Sequence, residues 1–238
     1  MKQVEQLSEW IHGARSIAVL TGAGISTASG IPDFRSAAGI YADERNVNVF
    51  DLEAFRRDPS IFYAFARTFY PKVRDARPNA AHRALATLER MTVVTQNVDD
   101  YHQRAGSDPV YCVHGNHQFS TCQSCRNEVN TEQLFPAIEG GQIPHCSCGG
   151  VYKPNITFFG EMLPAYDWSE SVKAISAADL ILVLGTSLTV YPAAGLPGYR
   201  PWNAKLAIVN RDPTPLDHEA QLVIHDDLCD VMSQFIKH

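Results

Sequence analysis

No run in this chain of 238 residues approaches the ~18–20 consecutive apolar residues that a membrane-spanning helix needs. Residues 1–10 are polar and carry both signs of charge, unlike the basic and then apolar opening of an export signal. Basic residues are outnumbered, with 20 Lys and Arg against 26 Asp and Glu and a formal net charge of −6. That deficit speaks against a general nucleic-acid binder. There is no internal repeat and no low-complexity tract. Cysteine is sparse as well, at six residues. With no export signal, reduced thiols are expected rather than a disulfide framework. What is present is 45% hydrophobic and 19% charged, the composition of a soluble globular protein with a sizeable core. The length suits one large domain, or a domain with a small satellite, at ~100–200 residues each.

Short runs rich in Val, Ile and Leu at 16–20, 91–95, 109–113, 180–184, 206–209 and 221–224 read as strands of a parallel sheet covered on both faces. Helical spacing appears at 167–178, with Asp167 and Glu170 as a capping pair, and at 79–90 behind Pro78. Strands alternating with helices predict an α/β fold with a doubly wound sheet. Residues 36–77 are rich in aromatics and read as helices packed over the sheet, whereas 117–150 hold cysteine pairs and no long apolar run. Both are expected to be insertions that together make a smaller lobe.

In open α/β sheets ligands bind beyond the carboxyl ends of the strands. Those ends carry Thr21-Gly22-Ala23-Gly24-Ile25-Ser26, Gln96-Asn97-Val98-Asp99, His114-Gly115-Asn116, Gly185-Thr186-Ser187, Asn210 and Asp226-Asp227. Such a series of polar and glycine ends implies a cleft. Gly22 and Gly24 would let backbone approach a diphosphate at a helix N-terminus, or would simply make a tight turn. The next glycine is Gly30, so the spacing departs from G-x-G-x-x-G and does not suit an ordinary hydride-transfer dehydrogenase.

Cys122 and Cys125 form Cys-x-x-Cys, and Cys146 and Cys148 form Cys-x-Cys before two glycines. Four thiolates suit a tetrahedral structural Zn²⁺ with no position left for chemistry, and His145 is a rival ligand to Cys146. Cys112 and Cys229 stand in or beside apolar runs and are expected to be buried and inert. His114, one of nine histidines, sits at a strand end facing the cleft, where it could serve as a general base.

These residues resemble the sirtuin family. The run Gly22-Ala23-Gly24-Ile25-Ser26 through Ser29-Gly30-Ile31-Pro32-Asp33-Phe34-Arg35 is similar to its cofactor loop. Thr95-Gln96-Asn97-Val98-Asp99, His114-Gly115, Phe159-Gly160-Glu161 and Gly185-Thr186-Ser187 follow in order, with the cysteine module in its place. The resemblance implies an NAD-dependent protein lysine deacetylase with a Rossmann-type large domain (1–35, 78–116 and 160–238). Its small domain would combine a helical insertion (36–77) with a zinc-binding module (117–159). It further implies that Gly22, Ala23, Gly24, Asp33, Phe34 and Arg35 form the loop over NAD, with Phe34 shielding the reacting sugar. Gln96, Asn97 and Asp99 would hold nicotinamide and its ribose. Gly185, Thr186, Ser187 and Asn210 would meet phosphates or adenosine ribose, and Leu228 the adenine. Substrate peptide would add as a strand between Phe159-Gly160-Glu161 and the segment around Val190. The acyl-lysine would thread a tunnel of Phe34, Val98, Ile156 and Phe159. His114, with Asn97, would be catalytic, and the products nicotinamide and 2′-O-acetyl-ADP-ribose.

Relatives that remove succinyl or malonyl groups carry a Tyr and an Arg three apart. Arg67 stands at the Arg position and Ala64 at the Tyr position, so preference for acetyl or other uncharged acyl groups is expected. The expected setting is a cytoplasmic, prokaryotic-type monomer that binds acetylated lysine in proteins and neither nucleic acid nor membrane. The alternatives are a sirtuin-like ADP-ribosyltransferase or NAD glycohydrolase, and a non-enzymatic zinc-containing binding module.

Overall fold

A computed structural model describes residues 2–34, 36 and 39–235. Along the chain run α1 (Lys2–Gly13), β1 (Ile17–Thr21), α2 (Leu52–Arg57), α3 (Ser60–Asp75), α4 (Ala80–Ala86) and β2 (Met91–Thr95). Next come α5 (Tyr101–Ala105), β3 (Val110–Cys112), β4 (Gly115–Cys122), β5 (Glu128–Asn130), α6 (Phe135–Glu139) and β6 (Tyr152–Ile156). The chain closes with α7 (Ala165–Ala177), β7 (Leu180–Leu184), β8 (Lys205–Val209), β9 (Leu222–Ile224) and α8 (Leu228–Ser233).

Each of the six apolar runs becomes a strand, in a sheet of order β3-β2-β1-β7-β8-β9. Its pairings are all parallel. Alternation sorts the side chains. Ile17, Val19, Leu180, Leu182 and Leu184 face α1, α4 and α8. Ala18, Leu20, Ile181 and Val183 face Ile175 and Ala178 of the α7 side. This is the doubly wound arrangement. Its order reverses between β1 and β7, where a crevice opens at the strand ends.

A second, antiparallel sheet of order β5-β4-β6 carries the cysteines. The aromatic segment does form helices, α2 and α3, but they do not cover the parallel sheet, whose faces are already occupied. Phe50, Phe55, Phe62, Tyr63 and Tyr70 pack instead with Phe135, Ile156 and Phe158 beside the small sheet. Edge-to-face rings dominate that core, as between Phe50 and Phe158 at 5.7 Å.

Two helix boundaries differ from the sequence reading. The 79–90 helix ends at Ala86, Thr87 closing the last turn. It begins with Asn79 as N-cap, accepting from the Ala81 and His82 amides. The 167–178 helix starts earlier, after Pro164, whose fixed φ suits a helix start. Asp167 therefore does not cap it. Its Oδ1 accepts from the Cys112 amide at 2.8 Å and ties α7 to the end of β3.

Candidate active site

At the carboxyl ends of β1 and β7 the chain makes two loops that touch backbone to backbone. Gly22 N–H donates to Leu184 O at 3.2 Å and Gly24 N–H to Gly185 O at 2.8 Å. A Cβ on Gly24 would lie 2.8 Å from Gly185 O, and one on Gly185 would lie 2.6 Å from Ile25 N. Gly185 also has φ +61°. These glycines are thus required by the meeting of two loops. After them, Thr186 Oγ1 accepts from Gln96 Nε2 at 3.0 Å, joining the loops after β7 and β2. Ser187 is exposed.

Ser26 is the centre of the polar cluster. Its Oγ donates to Asp99 Oδ2 at 2.9 Å and accepts from Asn97 Nδ2 at 3.1 Å. Asn97 and Asp99 are both buried. Burial raises the Asp99 carboxyl above its ordinary value, against the lowering effect of the bonds from Ser26 and Tyr101. Ala23, Ser26, Phe34, Asn97, Val98, Asp99 and His117 line one pocket, closed on the far side by Phe69, Tyr70 and Val73 of α3. Asp33, between the lining residues Pro32 and Phe34, accepts from the Ser36 amide through Oδ1. Arg35 lies outside the described residues.

His114 stands in the turn from β3 to β4. Its Nδ1 donates to Gln96 O at 3.0 Å, which leaves Nε2 as the basic nitrogen of the neutral ring. Thr157 N–H holds its carbonyl at 2.8 Å. Gly115 follows with φ +71°, and a Cβ there would lie 2.0 Å from Asn155 O, so the two sheets can meet at this point only through glycine. Burial lowers the His114 pKa, the bond to Gln96 raising it by less. The ring is therefore neutral at neutral pH and able to accept a proton.

Beneath the cluster lies a histidine pair that the sequence reading passed over. Thr21 Oγ1 donates to Thr95 Oγ1 at 2.8 Å, so His102 Nε2 is the donor to Thr21 at 3.0 Å. Thr95 Oγ1 also accepts the Asn97 amide. The His82 ring lies 4.9 Å from that of His102. Burial pulls both down, to about 4 for His82 and about 3 for His102.

On the side expected to hold the acyl-lysine, Phe34, Val98 and Ile156 share one apolar cluster. Phe159 does not join them; it is 54% exposed, and Phe158, 1% exposed, takes the inward place. Phe158 packs against Phe50, Phe55 and Phe62 in the aromatic core. Gly160, exposed, and Glu161, half-buried, form the turn that follows, and Val190 is half-buried in the loop after β7. Ala64 and Arg67 are exposed on α3, Arg67 lying beside Gly141, so neither faces the pocket. The helix presents Phe69, Tyr70 and Val73 there. Among the described residues no Lys or Arg lines this pocket.

Farther along the sheet edge, Asn210 Nδ2 donates to Asp212 O at 2.7 Å. Leu228, the first residue of α8, is buried in the core under the sheet.

In the small sheet the four Sγ atoms of Cys122, Cys125, Cys146 and Cys148 lie within 4.8 Å of one another. Cys122 and Cys148 are 3.5 Å apart and Cys125 and Cys146 3.7 Å. Tetrahedral zinc with Zn–S of ~2.3 Å needs sulfurs ~3.8 Å apart, so the set fits. The Cys148 amide aimed at Cys146, and the Cys125 amide aimed at Cys122, favour thiolates at both. His145 is outside the cluster, its Nδ1 bonded to Gly149 O. Cys112 is buried as expected, whereas Cys229 is half-buried; desolvation raises both free thiols.

The sequence model of the Sir2 family matches residues 22–192. The chain is 41% identical to an NAD-dependent protein deacetylase of Cutibacterium acnes, over 96% of each protein. Among solved structures, a Sir2 protein with a p53 peptide and NAD⁺ is 39% identical with a TM-score of 0.89, over 97% of this chain and 96% of that one. A Sir2 protein with the inhibitor EX-527, 2′-O-acetyl-ADP-ribose and a deacetylated p53 peptide is 39% identical with a TM-score of 0.87, over the same shares.

Proposed function

The chain belongs to the Sir2 family, and from that premise we propose that it is an NAD-dependent protein lysine deacetylase. NAD is its co-substrate, supplying the ribosyl group that carries the acetyl group away as 2′-O-acetyl-ADP-ribose while nicotinamide is released. The observation that carries the assignment is His114, a half-buried neutral imidazole with Nδ1 fixed on Gln96 O and Nε2 left basic.

In this reading Ser26, Asn97 and Asp99 bind the nicotinamide end, their amide and carboxylate complementing a carboxamide. Gln96 belongs to the ribose side. His114 Nε2 takes the proton of a ribose hydroxyl, so that the sugar oxygen can receive the acetyl group. Phe34, Val98 and Ile156 keep water from the reacting atoms. Gly22, Ala23, Gly24, Asp33, Thr186 and Ser187 serve the cofactor, with Asn210 and Leu228 at the adenosine end. Gly160, Glu161 and Val190 face the peptide backbone. Zinc, held by four thiolates, has no open position and acts on structure alone.

The finer assignments belong to the same proposal. The large domain comprises 1–35, 78–116 and 160–238, and the small one 36–77 and 117–159. The chain works as a cytoplasmic monomer on acetylated proteins, without nucleic acid. No helix among the described residues is long and apolar enough to cross a membrane.

Mass spectrometry of an acetyl-lysine peptide, with and without NAD, for wild type and His114→Ala, tests the activity. NAD-dependent loss of acetyl with 2′-O-acetyl-ADP-ribose formed, abolished in the variant, is the expected result. NAD consumed while the peptide stays acetylated would instead establish a transferase or glycohydrolase.

A further inference from the structure

A lysine is rarely buried, and when it is, its charge must be matched. Lys153 of β6 is buried, 4% exposed. Its Nζ donates to Ile156 O at 2.7 Å and Pro154 O at 3.2 Å, and pairs with Glu161 Oε2 at 2.8 Å. It also lies 4.0 Å from the centroid of the Phe158 ring. Glu161 Oε2 in turn accepts the Phe158 amide at 2.7 Å, and the Glu161 amide donates to Phe158 O at 3.0 Å. The turn from Phe158 to Glu161 is thereby closed twice and welded to β6 through one ammonium group.

The turn has a second property. Phe159 N–H donates to Phe50 O at 2.7 Å and Phe159 O accepts from Leu52 N–H at 3.1 Å, so this residue has no backbone group to offer an added strand. Among the described residues nothing bonds the Gly160 amide or carbonyl. Gly160 is exposed and has φ +93°, a conformation that favours glycine.

We propose that Lys153 is a positioning residue for the substrate peptide. Through Glu161 it fixes the turn so that the Gly160 backbone stays open to pair with the peptide strand. The proposal rests on the deacetylase assignment above and on peptide docking at this turn. Lys153 touches neither peptide nor NAD in this role, and its effect falls on one substrate only.

The test uses the full chain with Lys153→Met, Lys153→Arg, Glu161→Gln and the double variant Lys153→Met/Glu161→Gln. Michaelis constants are measured separately for an acetyl-lysine peptide and for NAD, and peptide affinity directly by fluorescence anisotropy. Lys153→Met is expected to raise the peptide KM and Kd by ~10-fold or more, the scale of one lost charged hydrogen bond. The NAD KM should move by less than ~2-fold and kcat by less than ~3-fold, the signature of lost peptide binding alone. Lys153→Arg should restore most of the affinity. The double variant should be no worse than the worse single one, because both changes break one contact. An unchanged peptide affinity, equal rises in both KM values, or an Arg variant no better than Met would each overturn the proposal. If Lys153→Met does not fold, Glu161→Gln, on a partly exposed side chain, must show the same KM split or the proposal fails. A wild type that binds the peptide but leaves it acetylated would refute the deacetylase assignment, while the affinity series would still decide on Lys153. A wild type that does not bind the peptide would overturn both.

Discussion

Gly24→Ala separates two explanations of the glycine loop, close packing of two loops and close approach of a ligand. The added Cβ would lie 2.8 Å from Gly185 O and 2.9 Å from Gly185 Cα, whereas non-bonded carbon atoms settle at ~3.5–4.0 Å. Both offending atoms are backbone, so no rotamer change relieves the clash, and the loops must part. Parting stretches the 2.8 Å bond from Gly24 N–H to Gly185 O. Overpacking costs ~1–3 kcal/mol and the weakened bond about 1 kcal/mol, together ~2–4 kcal/mol. For a chain of this size each kcal/mol moves the melting midpoint by ~2–4 °C, so Tm should fall by ~4–16 °C. Scanning calorimetry of wild type, Gly24→Ala and Gly198→Ala measures it. Gly198 is the control because a Cβ there meets nothing within 4 Å. A Gly24→Ala variant melting within ~1 °C of wild type, with only its NAD KM raised, would refute the packing account and assign the glycine to the ligand.

Four further outcomes are expected. Elemental analysis should find one zinc per chain, retained by His145→Ala and lost in Cys146→Ser. Chelation should strip hydrogen-exchange protection from β4, β5 and β6 first. The kcat/KM profile should fall on the acid side through a pKa below 6.5, since burial favours the neutral His114 ring, and His114→Ala should lower the rate by ~10²–10⁴-fold and abolish that limb. His82 and His102 are neutral in the folded state down to about 4 and about 3, but charge at about 6.5 when unfolded. Stability is therefore full above pH 6.5 and is lost as pH falls from there toward 4, by on the order of a few kcal/mol in urea titrations. Finally, competition between acetylated and succinylated peptides should favour acetyl by ~100-fold or more, because Phe34, Val98 and Ile156, the apolar cluster read as the acyl side, offer no partner to a buried carboxylate.

The parallel sheet was legible because its strands are buried on both faces, and continuous runs such as Leu180–Leu184 say so without context. The strand-end residues followed from that register, which is why Gln96, Asn97, Asp99 and His114 converge. Other features depend on partners far along the chain. The aromatics of 36–77 look alike whether they cover a sheet or one another, and only the prior occupation of both sheet faces decides. Phe158 and Phe159 differ by one step of strand alternation, set by how β6 ends. On α3 the pocket face is a matter of helix phase, which turns Phe69, Tyr70 and Val73 to the pocket and leaves Ala64 and Arg67 exposed. Ser26 stood inside a quoted motif, yet its role as a hub appears only when Asn97 and Asp99 arrive from another strand. His82, His102 and Lys153 carried no motif of their own, since a buried charge or ring is recognised by its surroundings.

The position of β1 in the middle of the sheet has a consequence during synthesis. It pairs with β2 on one side and β7 on the other. Ser16 and Asp179, bonded at the foot of that second pairing, stand 163 residues apart. At ~5–20 residues per second a ribosome needs on the order of ten to thirty seconds to cover that distance. Throughout that interval the β7-facing edge of Ile17–Thr21, a strand buried along its whole length in the finished fold, has no partner, and an open edge of this kind templates pairing between nascent chains. Yield of folded protein should therefore be governed by growth temperature and chaperone supply more than by the stability of the finished fold.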